Sequence, residues 1–355
     1  METIKQPQKK KNRKPLYILL CTLVAFSIFI YFLVKPSMES NAIQEINSCL
    51  NAEDVKATWY KYKTNLSESE DFCQAARDKL GSFNLKQSEI LEIKKWLPSK
   101  SENINIILVP DLSLRIKDQK NNPEQVQNDT TILSAAWKAF EKKVMLKLNS
   151  KDKLTVDVAD PSQAQDQFRT IADNLVFDLS EHKNKSNRLY FANIQDKFQK
   201  NIKQLYDIAT EKTTGADYVY YFSEILPKRM KKSTLDDNYK NILIIITDGY
   251  LEITGKPSTS PSPAMLQQYC NTRNASSFRY PSETADLTFP NLDIYLLEVN
   301  ERQAGKGCDY QGLKKWWTEW FKLMNIHNIE DDIIIKRDYS ISTATKEVEQ
   351  IINAK

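Results

Sequence analysis

Two unbroken apolar runs dominate the pattern of hydrophobic and polar positions. Asn105-Ile106-Ile107-Leu108-Val109-Pro110 leads into Asp111-Leu112-Ser113-Leu114-Arg115, and Ile242-Leu243-Ile244-Ile245-Ile246-Thr247 leads into Asp248-Gly249. A β-branched run without polar alternation predicts a strand buried on both faces, as in the middle of a parallel α/β sheet. A carboxylate just past such a strand lies at the sheet's carboxyl edge, where open α/β folds bind ligands. Asp111 and Asp248 are therefore expected to converge on one site.

Strand and helix patterns alternate across residues 101–355. Residues 131–148 carry a helical stripe through Ile132, Ala135, Ala136, Phe140, Val144 and Leu148. Residues 154–158 and 174–179 read as strands. Residues 187–210 and 218–226 read as helices separated by Thr213-Thr214-Gly215, with Pro227 ending the second. A strand over 292–299, a tryptophan-rich helix over 310–325, a strand over 331–336 and a helix over 342–352 complete the series. Such alternation predicts an α/β fold, doubly wound, with a mostly parallel sheet and helices on both faces. Residues 250–290 break the rhythm with Pro257, Pro261, Pro263, Pro281 and Pro290. A connection of that length is usually functional or disordered, and this one leaves the sheet just after Asp248.

Before the α/β pattern, residues 35–100 show helical spacing in Ile43, Ile46 and Leu50, and again in Leu85, Ile90, Leu91, Ile93 and Trp96. Residues 16–34 carry no charge and are long enough to cross a bilayer, so they predict a transmembrane helix. Lys9, Lys10, Lys11, Arg13 and Lys14 precede it and assign residues 1–15 to a basic cytoplasmic tail. A cleaved signal fits less well, because Ser40-Asn41-Ala42 lies far behind the apolar core, and Leu20 before Cys21 does not suit a lipoprotein signal. The expectation is a single-pass membrane protein whose bulk is extracytoplasmic, in the periplasm if the cell is bacterial. Richness in Lys, Asn and Ile suits a bacterial envelope protein.

Composition narrows the chemistry. Lys and Arg number 50 against 46 Asp and Glu, which argues against a nucleic-acid partner held by a basic surface. Only His182 and His327 are present, so histidine triads and multi-histidine metal sites are disfavoured. No GxGxxG or GxxxxGK[ST] occurs, which excludes dinucleotide and P-loop readings. Nothing supplies a matched nucleophile and base, so no catalytic residues are assigned. Beyond residue 34, Cys49, Cys73, Cys270 and Cys308 form an even set that suggests disulfides in an oxidising compartment. The simplest pairing is Cys49–Cys73 and Cys270–Cys308; the rival reading is four buried free thiols.

The order of these motifs resembles a von Willebrand factor type A domain over about residues 102–355. The residues that carry it are Asp111-Leu112-Ser113 after a buried strand, Thr213-Thr214-Gly215 between two helices, and Thr247-Asp248-Gly249 after a second buried strand. The resemblance implies a metal-ion-dependent adhesion site. Asp111, Ser113, Thr214 (or Thr213) and Asp248 would ligate Mg2+, a hard cation that keeps open positions for a partner's carboxylate. Arg115 departs from the pattern, standing where the family has a second serine. Pointing inward, its guanidinium would take the metal's place and bridge Asp111 and Asp248. Pointing outward, it would leave a degenerate site with weakly bound Mg2+. The cofactor expectation is thus none, or weak Mg2+.

Other features have plainer readings. Leu313, Trp316, Trp317, Trp320, Phe321 and Met324 recur at helical spacing and predict a buried face rather than a membrane-binding one. Lys228, Arg229, Lys231 and Lys232 predict a solvated helix end. The functional expectation is a membrane-anchored, extracytoplasmic module for protein–protein interaction at the cell envelope. Its partners would be envelope proteins, with the membrane contacted through residues 16–34. The alternatives are a structural component of a membrane-spanning complex without a ligand site, and an α/β hydrolase.

Overall fold

The structure is a computed structural model. It describes residues 24, 38–118, 120, 123–145, 147, 150–159, 167–181, 187–212, 215–253, 259–300, 309–326, 333–336 and 341–354. The chain divides into two compact units, Met1–Lys100 with Ser233–Asp236, and Ser101–Lys232 with Asp237–Lys355.

The first unit is helical: α1 (residues 38–48), α2 (Ala52–Leu66), α3 (Glu70–Gly81) and α4 (Gln87–Ile93). Asn51 and Ser69 start α2 and α3 by accepting the orphan N–H groups of Asp54 (2.9 Å) and Phe72 (3.1 Å). The helices close on a small core in which Trp59 stacks on Phe72 with ring centroids 5.1 Å apart. Arg77 is buried, and it donates to Glu70 (2.8 Å) and to the Pro98 carbonyl (3.2 Å) and lies 3.4 Å from Asp236.

Three expectations for this half of the chain need correction. Cys49 and Cys73 are free, not paired. Both are buried. Cys49 Sγ lies against the Glu45 carbonyl (3.3 Å) and Cys73 Sγ against the Ser67 carbonyl (3.4 Å), so each thiol serves as a small core residue bonded within its own neighbourhood. The single-pass membrane span and the extracytoplasmic location derived from it are also corrected. Among the described residues no helix is long and apolar enough to cross a membrane. Residues 16–34 lie outside the described residues except for Val24.

The second unit is built on a six-stranded sheet, ordered β3-β2-β1-β4-β5-β6. The strands are β1 (Ser101–Pro110), β2 (Lys153–Val156), β3 (Val176–Asp178), β4 (Asp237–Ile246), β5 (Leu292–Val299) and β6 (Ile334–Lys336). All neighbours are parallel except β2 and β3. The two apolar runs are the central pair: β1 and β4 register over ten residues each, from Ser101 opposite Asp237 to Pro110 opposite Ile246. Their side chains alternate between two cores, as the period of a strand requires. Ile104, Ile106, Leu108, Ile242, Ile244 and Ile246 face one, and Ile107, Val109, Leu243 and Ile245 face the other.

Helices cover both faces. The first core is closed by α5 (Gln125–Val144), α6 (Gln167–Asp173), α7 (Asn187–Lys212) and α12 (Ile341–Asn353). The second is closed by α8 (Tyr218–Tyr220), α9 (Leu226–Arg229), α10 (Pro263–Thr272) and α11 (Asp309–Leu323). Pro227 does not end its helix as expected. A π-helical turn, Tyr221–Ile225, joins α8 to α9, and Pro227 falls in the first turn of α9. There its missing N–H costs little, and the widened turn before it accommodates the ring.

The basic run is not simply solvated either. Arg229 forks onto Asp157 (2.7 and 3.3 Å) and Lys231 reaches Asp178 (2.8 Å), while Lys228 stays exposed.

Candidate functional site

Strand order reverses direction at β1 and β4, the point where an open parallel sheet leaves a crevice beyond its carboxyl ends. Asp111 and Asp248 stand there on adjacent strands. The Asp111 N–H donates to the Ile246 carbonyl (2.8 Å), and the Asn300 N–H to the Asp248 carbonyl (3.1 Å), so backbone ladders fix both positions. Neither side chain is open to solvent: Asp111 is 0 % and Asp248 1 % exposed.

The Asp111 carboxylate is already engaged. Its Oδ1 accepts the Ser113 N–H (2.9 Å) and its Oδ2 accepts the Thr247 hydroxyl (2.8 Å). The Ser113 hydroxyl in turn caps the 3-10 turn Leu114–Ile116 by accepting the Arg115 N–H (3.4 Å). Asp248 Oδ1 accepts the Tyr250 N–H (3.2 Å).

Arg115 points inward and is 2 % exposed. It does not bridge the two aspartates as one inward reading anticipated. Its Nε donates to the Asp111 carbonyl (2.9 Å) and stands 3.5 Å from Asp111 Oδ2. Its Nη2 donates to the Ile246 carbonyl (2.8 Å) and to Asp129 Oδ2 (2.7 Å) on α5. Asp129 completes its shell with the Tyr206 hydroxyl of α7 (3.0 Å) and the Gln125 amide (2.6 Å). One guanidinium therefore joins the ends of both central strands to α5, and through Asp129 to α7.

Charge in this cluster is strongly perturbed. Burial opposes the Arg115 charge, but Asp129 and Asp111 outweigh it and hold the guanidinium ionised far above any working pH. Burial pushes the Asp129 carboxyl up, against Arg115, Gln125 and Tyr206, which all favour the carboxylate. Burial also pushes the Tyr206 and Tyr218 hydroxyls well up, so both stay neutral. The Tyr218 hydroxyl and Arg115 Nη1 are buried without a hydrogen-bond partner among the described residues.

Of the expected ligand set, the structure brings together Asp111, Ser113 and Asp248; Thr213 and Thr214 lie outside the described residues. The next residue, Gly215, is tied to the chain beyond Asp248. It pairs with Ile253, and the Ala216 N–H reaches the Glu252 carbonyl (3.3 Å). Sequence reasoning missed Asp129, Tyr206, Gln125 and Thr247. Asp129 had a legible signal, since it lies three, four and seven residues before Ile132, Leu133 and Ala136. It is an acid on the apolar stripe of its helix.

The side chains present do not suit Mg2+. That ion demands an octahedron of oxygens and loses water reluctantly. Here one expected hydroxyl ligand is replaced by a guanidinium, and both Asp111 oxygens are held by protein donors. A second cation within a few ångströms would be repelled in this buried setting. Among the described residues no group of three or more His, Cys, Asp or Glu side chains is arranged to hold a metal.

The long connection after Asp248 forms the other part of this edge. It contains α10 and a 3-10 turn, Ser282–Thr284, and it is pinned by three tryptophans of α11. The indole N–H of Trp317 donates to the Gly249 carbonyl (3.0 Å), that of Trp316 to the Arg279 carbonyl (2.9 Å), and that of Trp320 to Thr284 Oγ1 (2.8 Å). Tyr280 stacks on Trp316 with centroids 5.9 Å apart. A cavity of about 290 Å³ opens among Phe278, Tyr280, Pro281, Thr284 and Leu323. In the same connection Cys270 is disulfide-bonded; Cys308, the partner expected from the sequence, lies outside the described residues.

No protein-family model matches the chain, and no curated protein matches it. The fold and site thus define an α/β unit with a six-stranded, mostly parallel sheet and a charged cluster at its switch point.

Proposed function

We propose that the α/β unit is a protein-interaction module of the von Willebrand A type, a binding rather than a catalytic domain, that needs no metal. Its contact face is the carboxyl edge of the sheet together with the connection over residues 250–290. The observation that carries this reading is the pinning of that connection at Arg279 and Thr284, and of Gly249 just before it, by three indoles. A pinned surface has little conformational entropy to lose on association, which favours recognition. Apolar side chains lie in reach of a partner: Leu114, in the turn after Asp111, is 56 % exposed, and Leu323 at the cavity rim is 54 % exposed. The resemblance in motif order supports the same reading.

Photo-crosslinkers placed singly at Leu114, Tyr280 and Lys138 test it, Lys138 being exposed on α5. Capture of one protein from Leu114 and Tyr280 but not from Lys138 is the expected result. Equal capture at all three positions, or none, would overturn the proposal.

A further inference from the structure

We infer that Arg115 is a built-in cation, taking over at the β1/β4 switch point the part that a divalent ion plays in a metal-dependent edge. The inference concerns how the edge is held together, and stands whether or not a protein partner docks there. A metal at such a place gathers oxygens from separate elements around one positive charge. The Arg115 guanidinium does this with the Asp111 and Ile246 carbonyl oxygens (2.9 and 2.8 Å) and the Asp129 carboxylate (2.7 Å). Its Nε also stands 3.5 Å from the Asp111 carboxylate.

Two features separate this from an ordinary buried ion pair. The guanidinium contacts backbone acceptors at the ends of both central strands, so it sets the geometry of the switch point itself. It also faces two buried carboxylates, Asp111 and Asp129, each 0 % exposed. An arginine is charged at every physiological pH, whereas a bound ion comes and goes with its concentration. The edge of this chain is therefore assembled permanently, with no switching by divalent ions.

The consequence can be read in reverse. Removing the guanidinium would leave the Asp111 and Asp129 carboxylates and the Asp111 and Ile246 carbonyl oxygens around the space it fills, and Arg115→Ser would add a hydroxyl. That is an oxygen-rich, negatively charged pocket suited to a hard divalent cation. The full chain is compared with Arg115→Ser, Arg115→Lys and Arg115→Ser/Asp129→Asn by thermal melting and by Mn2+ titration calorimetry.

The expected result is that the unaltered chain and Arg115→Lys do not respond to Mn2+. Arg115→Ser melts lower without metal and regains roughly 4 °C or more in about 5 mM Mn2+. Adding Asp111→Ala to it abolishes the gain. If Arg115→Ser does not fold, Arg115→Ser/Asp129→Asn carries the test, because it also removes the acid left without its partner. Two outcomes overturn the inference: an Asp111-dependent Mn2+ shift in the unaltered chain, or a folded double variant that binds no Mn2+.

Discussion

The Arg115 cluster and the tryptophan-pinned connection organise the same edge of the sheet by opposite means. One uses a single full charge, buried among carboxylates and strand-end carbonyls. The other uses three neutral indole donors, each on its own acceptor, over a broad apolar base. A buried ion loses much hydration, so its net worth is modest while its loss is costly. A neutral hydrogen bond gives up less and its loss is local. The charged cluster should thus be brittle and the pinned connection tolerant.

Arg115→Met offers the largest break in that comparison. It strands Asp129 and takes a donor from the Asp111 and Ile246 carbonyls, and the expected cost is about 3–5 kcal/mol in urea unfolding. A loss below about 1 kcal/mol would mean the guanidinium is peripheral to stability.

Gly215→Ala tests the chain just beyond Asp248, where Gly215 bridges Ile253. Gly215 has φ +127°, and a Cβ there would run into the Glu252 carbonyl and lie 2.7 Å from the Ile253 Cα. Forcing that pairing apart should cost roughly 2–3 kcal/mol. A neutral effect would show that the Gly215–Ile253 bridge does not constrain the edge.

Trp317→Phe keeps an aromatic ring but deletes the donor to Gly249. The expected cost is about 1–2 kcal/mol, well below that of Arg115→Met. Equal costs in the two variants would erase the distinction between charged and neutral organisers.

The smallest effect is expected far from both, at Lys231→Met. Burial alone would push the Asp178 carboxyl up, but hydrogen bonds from Lys231 and Ser180 hold it below its usual value. A depressed carboxylate stabilises the fold above its unfolded pKa, near 3.9, and that contribution fades as pH falls through the folded value. The stability gap between the chain and Lys231→Met should therefore be full at pH 6 and shrink below about pH 4. A gap that widens on acidification would refute the assignment.

Much of the fold was legible because its signals are local. The runs at Ile106 and Ile242 became the paired central strands, and the stripe from Leu313 to Met324 became a buried helix face. Asp111 and Asp248 were placed at one edge because a carboxylate after a buried strand has nowhere else to go. Local reasoning failed where the deciding partner was distant. Cys49 and Cys73 suggested a bridge by parity, yet each sulfur has a carbonyl neighbour and stays free. Pro227 looked like a stop until a π-turn absorbed it. Lys231 looked solvated until Asp178, 53 positions away, met it.

The site divides in the same way. By itself the sequence determined which acids end the central strands and that position 115 carries a guanidinium where the resemblance expects a hydroxyl. Pattern reports periodicity and residue chemistry, and both are properties of short stretches. Only the tertiary structure decided where that guanidinium goes. Asp129, 14 residues from Arg115, reaches it through the packing of α5 on the sheet, and Tyr206 of α7, 91 residues away, holds Asp129 in turn. A long flexible cation has many allowed rotamers, and the choice among them falls to whichever buried oxygens the completed core leaves in need of a donor.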